Sequence, residues 1–377
     1  MARKKIPAVF VRGGTSKGVF FHESDLPSDK AERDRILLHA LGSPDPYKRQ
    51  LNGMGGGLSS LSKAVIVAKS EHPDADVDYT FAQVSVDEPV VAYRGACGNL
   101  SASVGAFAVD EGLIQVPDGE AFVRVHMTNT GKVYEARFSV KDGMTVENGD
   151  YVMPGVSGTG AKITLDYLDP GGAITGALLP TGRVRDRMEI EGLGEIEVSL
   201  VDATNAMVFV DAADMGYEAT EHPEALDADA TFMSRMEEAR RKGAVLMGMA
   251  NRLDDVPPAS PKVGIVARPK DFTALDRTNY TKDSMDLSVR VISMENVHRA
   301  LPGTIGMCIA AAARIEGTIA HRLAKDHAPI RIGSPSGVVP VDADVSREDN
   351  GDWFVRAITV FRTQRRLMEG SVLVPDK

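Results

Sequence analysis

Each half of this sequence contains one short segment of small and apolar residues that follows a glycine-containing turn and has the periodicity of a helix. In the first half the segment begins after Cys97, and apolar residues recur at helical spacing through Val104, Phe107 and Ala108. In the second half an alanine-rich helix is predicted over residues 305–315. A helix that is apolar on all sides must be surrounded by other elements. The sequence therefore predicts one buried central helix in each half.

Short segments with the pattern of strands surround both predicted helices. They are the two strands of residues 6–21 and the segments 64–68, 79–86, 89–93, 122–126, 133–140, 162–168, 195–201, 206–210, 262–267 and 287–292. Further helices are predicted at residues 32–41, 228–242 and 295–300. Many short strands around one central helix per half indicate an α+β fold with two similar halves, not a doubly wound parallel sheet. The shared order of elements hints at an internal duplication.

The composition argues against several classes of function. The net charge of −10 disfavours general nucleic-acid binding, because phosphate contacts need a basic surface, but it is compatible with a small anionic substrate. No apolar stretch reaches the length of about 18 residues that a membrane span needs. Two widely separated cysteines and the lack of a signal sequence indicate a cytoplasmic protein. The eight histidines form no metal-binding motif, so neither a metal nor a cofactor is predicted.

The first glycine-rich turn, residues 12–18, lies between two predicted strands. It is either a plain hairpin turn or a loop in which Arg12, Thr15 and Ser16 hold a carboxylate. The order Thr-Ser-Lys-Gly followed by a strand differs from a nucleotide-binding phosphate loop, which opens a helix. Nucleotide binding is therefore not expected here.

A second loop, residues 52–63, combines three consecutive glycines with three serines and ends in Lys63. Glycine loses the most conformational entropy on ordering, which disfavours this composition for a mere linker. Lys63 stands at the start of an apolar strand, where burial would favour the uncharged amine and make it a base near neutral pH. The alternative is an ordinary exposed lysine.

Cys97 directly precedes the first predicted central helix. A thiol at a helix N-terminus faces unpaired backbone N–H groups and the positive end of the helix dipole, which favour a thiolate and can also bind an anion. The alternative is a small buried hydrophobic side chain. The Gly98-Asn99 pair that follows favours the functional interpretation.

Two weaker candidates lie in the second half. Residues 331–337 form a tight turn that is either a connecting loop or a second anion-binding turn. His298, on the predicted short helix, could exchange protons near neutral pH, although a structural role is the alternative.

Six motifs occur in an order that resembles one enzyme family. They are residues 12–18 (Arg-Gly-Gly-Thr-Ser-Lys-Gly), 59–63 (Ser-Ser-Leu-Ser-Lys), 97–101 (Cys-Gly-Asn-Leu-Ser), 180–182 (Pro-Thr-Gly), 334–337 (Ser-Pro-Ser-Gly) and 365–370 (Arg-Arg-Leu-Met-Glu-Gly). The set is similar to that of the 2-methylaconitate isomerases, 3-methylitaconate delta-isomerases and 4-oxalomesaconate tautomerases, and it spans nearly the whole chain. The resemblance implies the diaminopimelate-epimerase-like fold. In that fold two similar domains each wrap a curved, mostly antiparallel sheet around a central helix, with the active site in the cleft between them.

The resemblance also implies a domain division and a set of site residues. The first domain would comprise residues 1–180 and be completed by residues 354–377, and the second would comprise residues 181–353. Lys63 is implied as an acid/base residue, and Cys97 matches the first catalytic cysteine of the epimerase relatives. The residues expected to bind substrate are Arg12, Thr15, Ser16, Asn52, Ser59, Ser60, Ser62, Gly98, Asn99, Leu100, Gly303, Thr304, Ser336 and Gly337.

One departure from the wider fold family concerns the second helix. Epimerases of this fold carry a second cysteine directly before a Gly-Thr pair, where this chain has Pro302. Cys308 lies four residues after Thr304, inside the predicted helix, where a thiol acts as a small hydrophobic group. A two-thiol racemase mechanism is therefore disfavoured.

The resemblance implies a cofactor-independent isomerisation of an unsaturated di- or tricarboxylate such as 2-methylaconitate, 3-methylitaconate, 4-oxalomesaconate or aconitate. The reaction would be an allylic proton shift or a cis–trans isomerisation, which needs a base, hydrogen-bond donors for the developing charge and exclusion of water. Two other functions stay open: a non-catalytic polycarboxylate-binding accessory protein to an aconitase-like enzyme, and a two-base epimerase or racemase. The expected partner is a small polycarboxylate, without nucleic acid or membrane, and assembly as a homo-oligomer is left open.

Overall fold

A computed structural model describes residues 3–93, 97–257, 260–293 and 296–375. The chain divides into two compact units, unit 1 with Met1–Asp166 and Phe361–Lys377, and unit 2 with Tyr167–Val360. The corresponding divisions predicted from the sequence lie after residue 180 and before residue 354. Within the described ranges, no helix is both long enough and apolar enough to cross a membrane.

Most of the regular structure consists of short strands. In the first half they are β1 (Arg3–Gly13), β2 (Ser16–His22), β3 (Lys63–Lys69), β4 (Val77–Val84), β5 (Val91–Ala92), β6 (Gly119–Met127), β7 (Lys132–Lys141), β8 (Met144–Thr145), β9 (Tyr151–Val152), β10 (Thr159–Gly160) and β11 (Ile163–Leu168). In the second half they are β12 (Asp186–Ile190), β13 (Gly194–Ala203), β14 (Asn205–Asp211), β15 (Lys262–Ala267), β16 (Phe272–Thr273), β17 (Asn279–Tyr280), β18 (Leu287–Ser293), β19 (Asn296–Val297), β20 (Ile330–Ser334), β21 (Gly337–Arg347), β22 (Trp353–Arg362) and β23 (Gln364–Pro375).

The helices are fewer and include two that consist mostly of small and apolar residues. They are α1 (Lys30–Leu41), α2 (Ser101–Asp110), α3 (Ala212–Met215), α4 (Pro223–Ala228), α5 (Ala230–Leu246), α6 (Gly303–Arg314) and α7 (Ile319–Leu323). Single 3₁₀ turns occur at Glu23–Asp25, Ser59–Leu61, Leu253–Asp255 and Lys282–Ser284.

Unit 1 alternates antiparallel and parallel pairings. β1 and β2 form an antiparallel hairpin, β2 lies parallel to β3, β3 is antiparallel to β4, β4 is parallel to β6, and β6 is antiparallel to β7. The last strand, β23, pairs antiparallel along the length of β1, from Arg3 opposite Pro375 to Gly13 opposite Gln364. The C-terminal segment therefore belongs to the sheet of unit 1.

Unit 2 repeats the same order of pairings. β13 and β14 form an antiparallel hairpin, β14 is parallel to β15, β15 is antiparallel to β18, β18 is parallel to β20, and β20 is antiparallel to β21. In unit 1 helix α2 lies in the chain between β4 and β6, and in unit 2 helix α6 lies between β18 and β20. The α+β prediction with two similar halves is confirmed.

The two central helices are buried along almost their whole length. Residues 101–109 of α2 and residues 305–313 of α6 are buried, and each helix contacts several strands of its own unit. Small side chains make this possible, because a Cβ added at Gly105 would lie 2.8 Å from the ring of Phe138. The opposite face of each sheet packs on a polar-faced helix, α1 in unit 1 and α5 in unit 2.

One predicted element is wrong. The short helix expected around His298 is instead strand β19, in which Val297 pairs with Ile292 of β18. His298 follows that strand, and its backbone N–H donates to the carbonyl of Val291. The pairing with β18 satisfies backbone groups that an isolated turn of helix would leave exposed, so tertiary contact overrides local propensity here.

Candidate functional site

The start of helix α2 is held against the β1–β2 hairpin. Gly13 and Ser16 are directly opposite in the hairpin, so Gly14 and Thr15 form a two-residue loop, with Gly14 at φ +52°. A positive φ at the first loop position is a conformation in which glycine is favoured. The Asn99 side-chain amide donates to the Thr15 hydroxyl at 3.0 Å and to the Ser16 hydroxyl at 3.3 Å. Three predicted site residues are therefore in direct contact.

Glycine is required in this hairpin because the turn before α2 approaches so closely. A Cβ at Gly13 would lie 2.8 Å from the carbonyl oxygen of Asn99, and one at Gly14 would lie 2.4 Å from its side-chain oxygen. A Cβ at Gly18 would lie 2.8 Å from the Leu100 side chain and 3.0 Å from the carbonyl oxygen of Lys63. The absence of side chains at these glycines therefore allows the hairpin to contact both the turn before α2 and the backbone of Lys63.

Cys97 is a free thiol, buried to 9% exposure, four residues before α2 begins. Its carbonyl oxygen accepts hydrogen bonds from the Ser101 N–H and hydroxyl, both at 2.9 Å, and from the Tyr79 hydroxyl at 3.4 Å. Tyr134 in turn donates to the carbonyl oxygen of Ser101 at 2.8 Å. These contacts fix the backbone of Cys97, while Gly98, Asn99 and Leu100 form the turn into the helix.

Lys63 is the first residue of β3 and is buried to 9% exposure. Its amine donates to the Gln83 side-chain oxygen at 2.7 Å and lies 5.0 Å from the centre of the Phe81 ring. Gln83 and Phe81 are on the neighbouring strand β4, and Gln83 is directly opposite Lys63 in the ladder. Among the described residues, Lys63 forms no ion pair with a carboxylate.

The alternation of β3 and β4 puts Lys63 on the face of the sheet that α2 covers. Ala64 and Ile66 belong to the core cluster beneath α1, so Lys63 points to the opposite face. On that same face Tyr79 of β4 bonds the backbone of Cys97. The structure therefore places the two predicted catalytic residues on one face of one sheet, with the turn before α2 adjacent to Lys63 through Gly18.

The Gly/Ser loop is braced by a second glutamine. Gln50 donates through its amide nitrogen to the hydroxyls of Ser62 at 2.6 Å and Ser43 at 2.8 Å, and its oxygen accepts from the Gly57 N–H at 2.9 Å. Ser62 is fully buried, and its hydroxyl accepts the hydrogen bond from Gln50. Asn52 and Ser59 are exposed and Ser60 is half-buried.

Ser59 lines a cavity next to Gln83. The cavity has a volume of about 430 Å³, and its wall includes the side chains of Leu58 and Val90. Gln83 forms part of the same wall, so the amide that contacts the Lys63 amine borders this space.

Arg12 braces the hairpin from the other side. Its guanidinium donates to the Thr363 carbonyl oxygen at 2.7 Å and hydroxyl at 2.8 Å, and to the Gly14 carbonyl oxygen at 3.3 Å. Burial, together with the positive charge of Arg365, lowers the pKa of Arg12 from its ordinary value. The observed contacts make Arg12 a support for the Gly14–Thr15 loop.

In unit 2 the start of α6 is held by a hairpin in a similar way. The Thr204 hydroxyl donates to the carbonyl oxygen of Thr304 at 2.8 Å, and the Asn205 amide lies 3.5 Å from the Thr304 hydroxyl. Thr204 adopts φ +64° between β13 and β14. Gly303 is the first residue of α6, after Pro302 at the N-cap.

The remaining predicted residues of unit 2 lie in the β20–β21 hairpin. Ser334 pairs with Gly337 across a two-residue loop that contains the half-buried Ser336. Gly337 has φ +118°, and a Cβ there would lie 2.8 Å from the Tyr280 hydroxyl oxygen. This loop is therefore packed on Tyr280 and constrained at Gly337.

Cys308 is fully buried inside α6, and its thiol donates to the carbonyl oxygen of Val201 at 3.5 Å. Burial raises the pKa of the Cys308 thiol. Both features agree with the structural role that the sequence predicted for it. In the parts of the chain that the structure describes, no group of three His, Cys, Asp or Glu side chains is arranged to hold a metal ion.

Sequence reasoning missed the side chains that orient these groups. They are Gln50, Tyr79, Gln83, Thr204 and Asn205. A signal existed for Gln83, because Val77, Tyr79 and Phe81 alternate as the buried face of β4 and Gln83 continues that face with a polar residue. No local pattern pointed to the others.

Comparisons with known proteins cover nearly the whole chain. The family model described as PrpF protein matches residues 3–375. A 3-methylitaconate isomerase from Eubacterium barkeri is 41% identical over 377 residues, covering 98% of this chain and 97% of that protein. A 2-methyl-aconitate isomerase from Cupriavidus necator is 39% identical over 386 residues, with the same shares covered. A crystal structure of a methylitaconate-delta-isomerase has a TM-score of 0.92 at 40% identity, covering 99% of this chain and 96% of that chain.

Proposed function

The chain belongs to the PrpF protein family, and from this premise we propose that it is an isomerase that moves a double bond in an unsaturated di- or tricarboxylate. The names of its relatives support 3-methylitaconate and 2-methylaconitate as the first acids to test. 4-Oxalomesaconate and aconitate complete the substrate class expected from the sequence motifs.

The proposed reaction begins with proton removal by the neutral amine of Lys63. The proton leaves the carbon next to the alkene, and the electron pair of that C–H bond forms a new double bond, which yields a delocalised dienolate. The Lys63 ammonium then returns a proton to the carbon at the far end, which completes an allylic shift. If the intermediate rotates about its former double bond and is reprotonated at the original carbon, the result is a cis–trans isomer.

The negative charge of the dienolate falls on a carboxylate oxygen and needs fixed hydrogen-bond donors. The turn Gly98-Asn99-Leu100 at the start of α2 supplies backbone N–H groups at a helix N-terminus, where anions are favoured. We assign carboxylate binding to this turn together with Thr15 and Ser16, whose hydroxyls Asn99 already contacts. Cys97 either acts as a second acid/base or orients the carboxylate.

The observation that carries the proposal is the environment of Lys63. Lys63 is 9% exposed, and its amine contacts a neutral amide and lies near an aromatic ring. Among the described residues it is paired with no carboxylate. A basic amine that is held by a neutral amide and not by a carboxylate is the kind of group that the proposed proton transfer needs.

The test uses the purified protein alone with each of the four acids. We expect the ultraviolet absorbance of at least one acid to change without added metal, nucleotide or nicotinamide. In deuterated water, deuterium should enter the carbon that gains the proton, to a smaller extent if Lys63 returns the original proton before exchange. The proposal fails if none of the four acids responds or if a chelator abolishes the change.

The same experiment separates the two other functions. An accessory binding protein would label nothing, and an epimerase would label a saturated stereocentre of an amino acid and ignore polycarboxylates. The burial of Cys308 within α6 supports the isomerase over the two-thiol epimerase, because a fully buried thiol cannot contact a substrate.

The proposal includes a small polycarboxylate as the partner and the cytoplasm as the location. Neither nucleic acid nor membrane is part of it, which agrees with the net charge of −10. A homo-oligomer stays open, and light scattering of the purified protein measures it directly.

A further inference from the structure

We propose that Gln83 is a positioning residue that fixes the direction of the lone pair on the Lys63 amine. The inference rests on the proposed function, because it concerns how Lys63 would act as the base. It adds a residue that none of the six sequence motifs contains.

The orientation of the Gln83 amide is determined by its partners. Its nitrogen donates to two carbonyl oxygens, that of Ser59 at 3.0 Å and that of Ser62 at 2.9 Å. A carbonyl oxygen can only accept, so the nitrogen must face these two groups and cannot exchange places with the oxygen. The oxygen is thereby left facing the Lys63 amine at 2.7 Å.

The Gln83 side-chain oxygen can only accept a hydrogen bond, so it constrains the orientation of the Lys63 amine in both protonation states. The ammonium form has three hydrogens and the neutral form has two hydrogens and one lone pair. In each form one hydrogen is directed at Gln83, because a lone pair directed at the amide oxygen would be repelled. The lone pair of the neutral amine therefore points away from Gln83, which defines one direction for removing and returning the proton.

A neutral amide suits this task better than a carboxylate would. A carboxylate at the same 2.7 Å would stabilise the ammonium form strongly and suppress the base. The amide holds the amine in place without a full counter-charge. The Phe81 ring at 5.0 Å adds a weaker attraction for the charged form.

Among the described residues, the strands that flank Lys63 present uncharged groups to it. The parallel strand β2 presents Gly18, which has no side chain. From β4 come Gln83 and Phe81, and farther along the same face the titratable Tyr79, which bonds the backbone of Cys97. Cys97, whose thiol can titrate, precedes the helix that covers this face. A carboxylate introduced at residue 83 would therefore lie within hydrogen-bond distance of the Lys63 amine.

The experiment compares Gln83→Glu, Gln83→Met and Gln50→Met with the natural protein. Gln50→Met is the matched control, because Gln50 braces the same loop through Ser62 but is not hydrogen-bonded to Lys63. Each protein is measured for kcat and KM as a function of pH. The rate at which Lys63 reacts with an acylating reagent is also measured by peptide mass spectrometry, a readout that does not depend on activity.

For Gln83→Glu we expect the rising limb of the kcat profile, and the pH dependence of Lys63 acylation, to move to higher pH by about one to two units. For Gln83→Met we expect kcat to fall about 10- to 100-fold with KM changed less than about threefold, because the base is present but misdirected. Gln50→Met should lower stability and leave both pH midpoints unchanged.

The proposal is overturned if Gln83→Glu leaves both midpoints where they are, or if Gln50→Met changes kcat and KM in the same way as Gln83→Met. Failure of the proposed function has a different signature. In that case no acid is turned over by the natural protein, and the acylation profile of Gln83→Glu still decides whether Gln83 governs the Lys63 amine.

Discussion

In each unit a hairpin loop meets the first residues of the central helix, but the side chains that make the contact are exchanged. In unit 1 the asparagine, Asn99, belongs to the helix start and donates to hydroxyls of the hairpin. In unit 2 the asparagine, Asn205, belongs to the hairpin and faces the hydroxyl of Thr304 at the helix start. The same strand order thus imposes the contact, and two different sequences satisfy it.

The comparison extends to a pair of lysines. Lys63 is the first residue of β3 and Lys262 is the first residue of β15, and each strand lies parallel to the second strand of its unit's hairpin. Lys63 contacts a neutral amide. Burial and the nearby charge of Arg240 lower the pKa of Lys262. Equivalent places in the fold therefore hold the same residue type in different electrostatic surroundings.

Some of these features follow from the shared topology, and others are specific to one unit. Hairpin, central helix and lysine recur in both units. Among the described residues, a thiol next to the start of the central helix occurs only in unit 1, because Cys308 lies within α6 at 0% exposure. We therefore expect proton transfer to depend on unit 1.

The largest change in kcat is expected from substitution of one of the two lysines. Lys63→Met keeps the volume and removes the proton carrier, so kcat should fall by at least about 100-fold, the usual scale for loss of a general base. Binding of an inert tricarboxylate, measured by calorimetry, should weaken much less. Lys262→Met is the matched control and should lower kcat less than about tenfold, because no thiol stands at the start of α6. Equal losses in both variants would show that the units share the chemistry.

The next effect tests the two hairpin loops. Gly14→Ala must adopt φ near +52° and displace Asn99, which costs about 1 kcal/mol for the left-handed conformation and about 1 kcal/mol for the lost hydrogen bonds. In unit 2, Thr204→Gly relieves a similar conformation but loses the bond to Thr304, so the free energy of unfolding should hardly change. Urea unfolding measures both. If Gly14→Ala leaves the free energy of unfolding unchanged, the close contact between Gly14 and Asn99 is contradicted.

Substitution of the two cysteines should give smaller changes in kcat, and these should differ between Cys97 and Cys308. Cys97→Ala should lower kcat by about tenfold or more, because it removes a group at the proposed site. Cys308→Ala should keep most activity, because its thiol is enclosed by α6 and β13. Iodoacetamide should modify Cys97 and spare Cys308 in the folded protein. Comparable inactivation by both substitutions would restore the two-thiol mechanism.

The smallest effect is a pH dependence of stability in unit 2. Burial raises the pKa of the Cys308 thiol, so the folded state holds this proton more tightly than the unfolded chain does. The stabilisation is complete below the unfolded thiol's value of about 8.5 and is lost as the pH rises above it, by up to about 1.4 kcal/mol per unit. Denaturant unfolding at pH 8 to 10 should show this loss in the natural protein and a smaller loss in Cys308→Ala.

Local patterns in the sequence were sufficient for most of the elements, including both central helices. Helical spacing and small residues predicted α2 and α6, and the glycines of residues 12–18 predicted a turn between strands. Cys97 before a helix and Lys63 at the start of a strand follow from the same patterns. These features depend on neighbours within a few residues, which is why a single sequence determines them.

Only the tertiary structure decided what those residues contact. Gln83 meets Lys63 across a strand pair, the Thr204 hydroxyl meets a carbonyl 100 residues away, and β23 pairs with β1 from the other end of the chain. The bond between the Arg12 guanidinium and Thr363 is a further contact of this kind. Such contacts depend on strand register and on which loops the fold brings together, and a one-residue slip in register would reverse the face on which Gln83 lies.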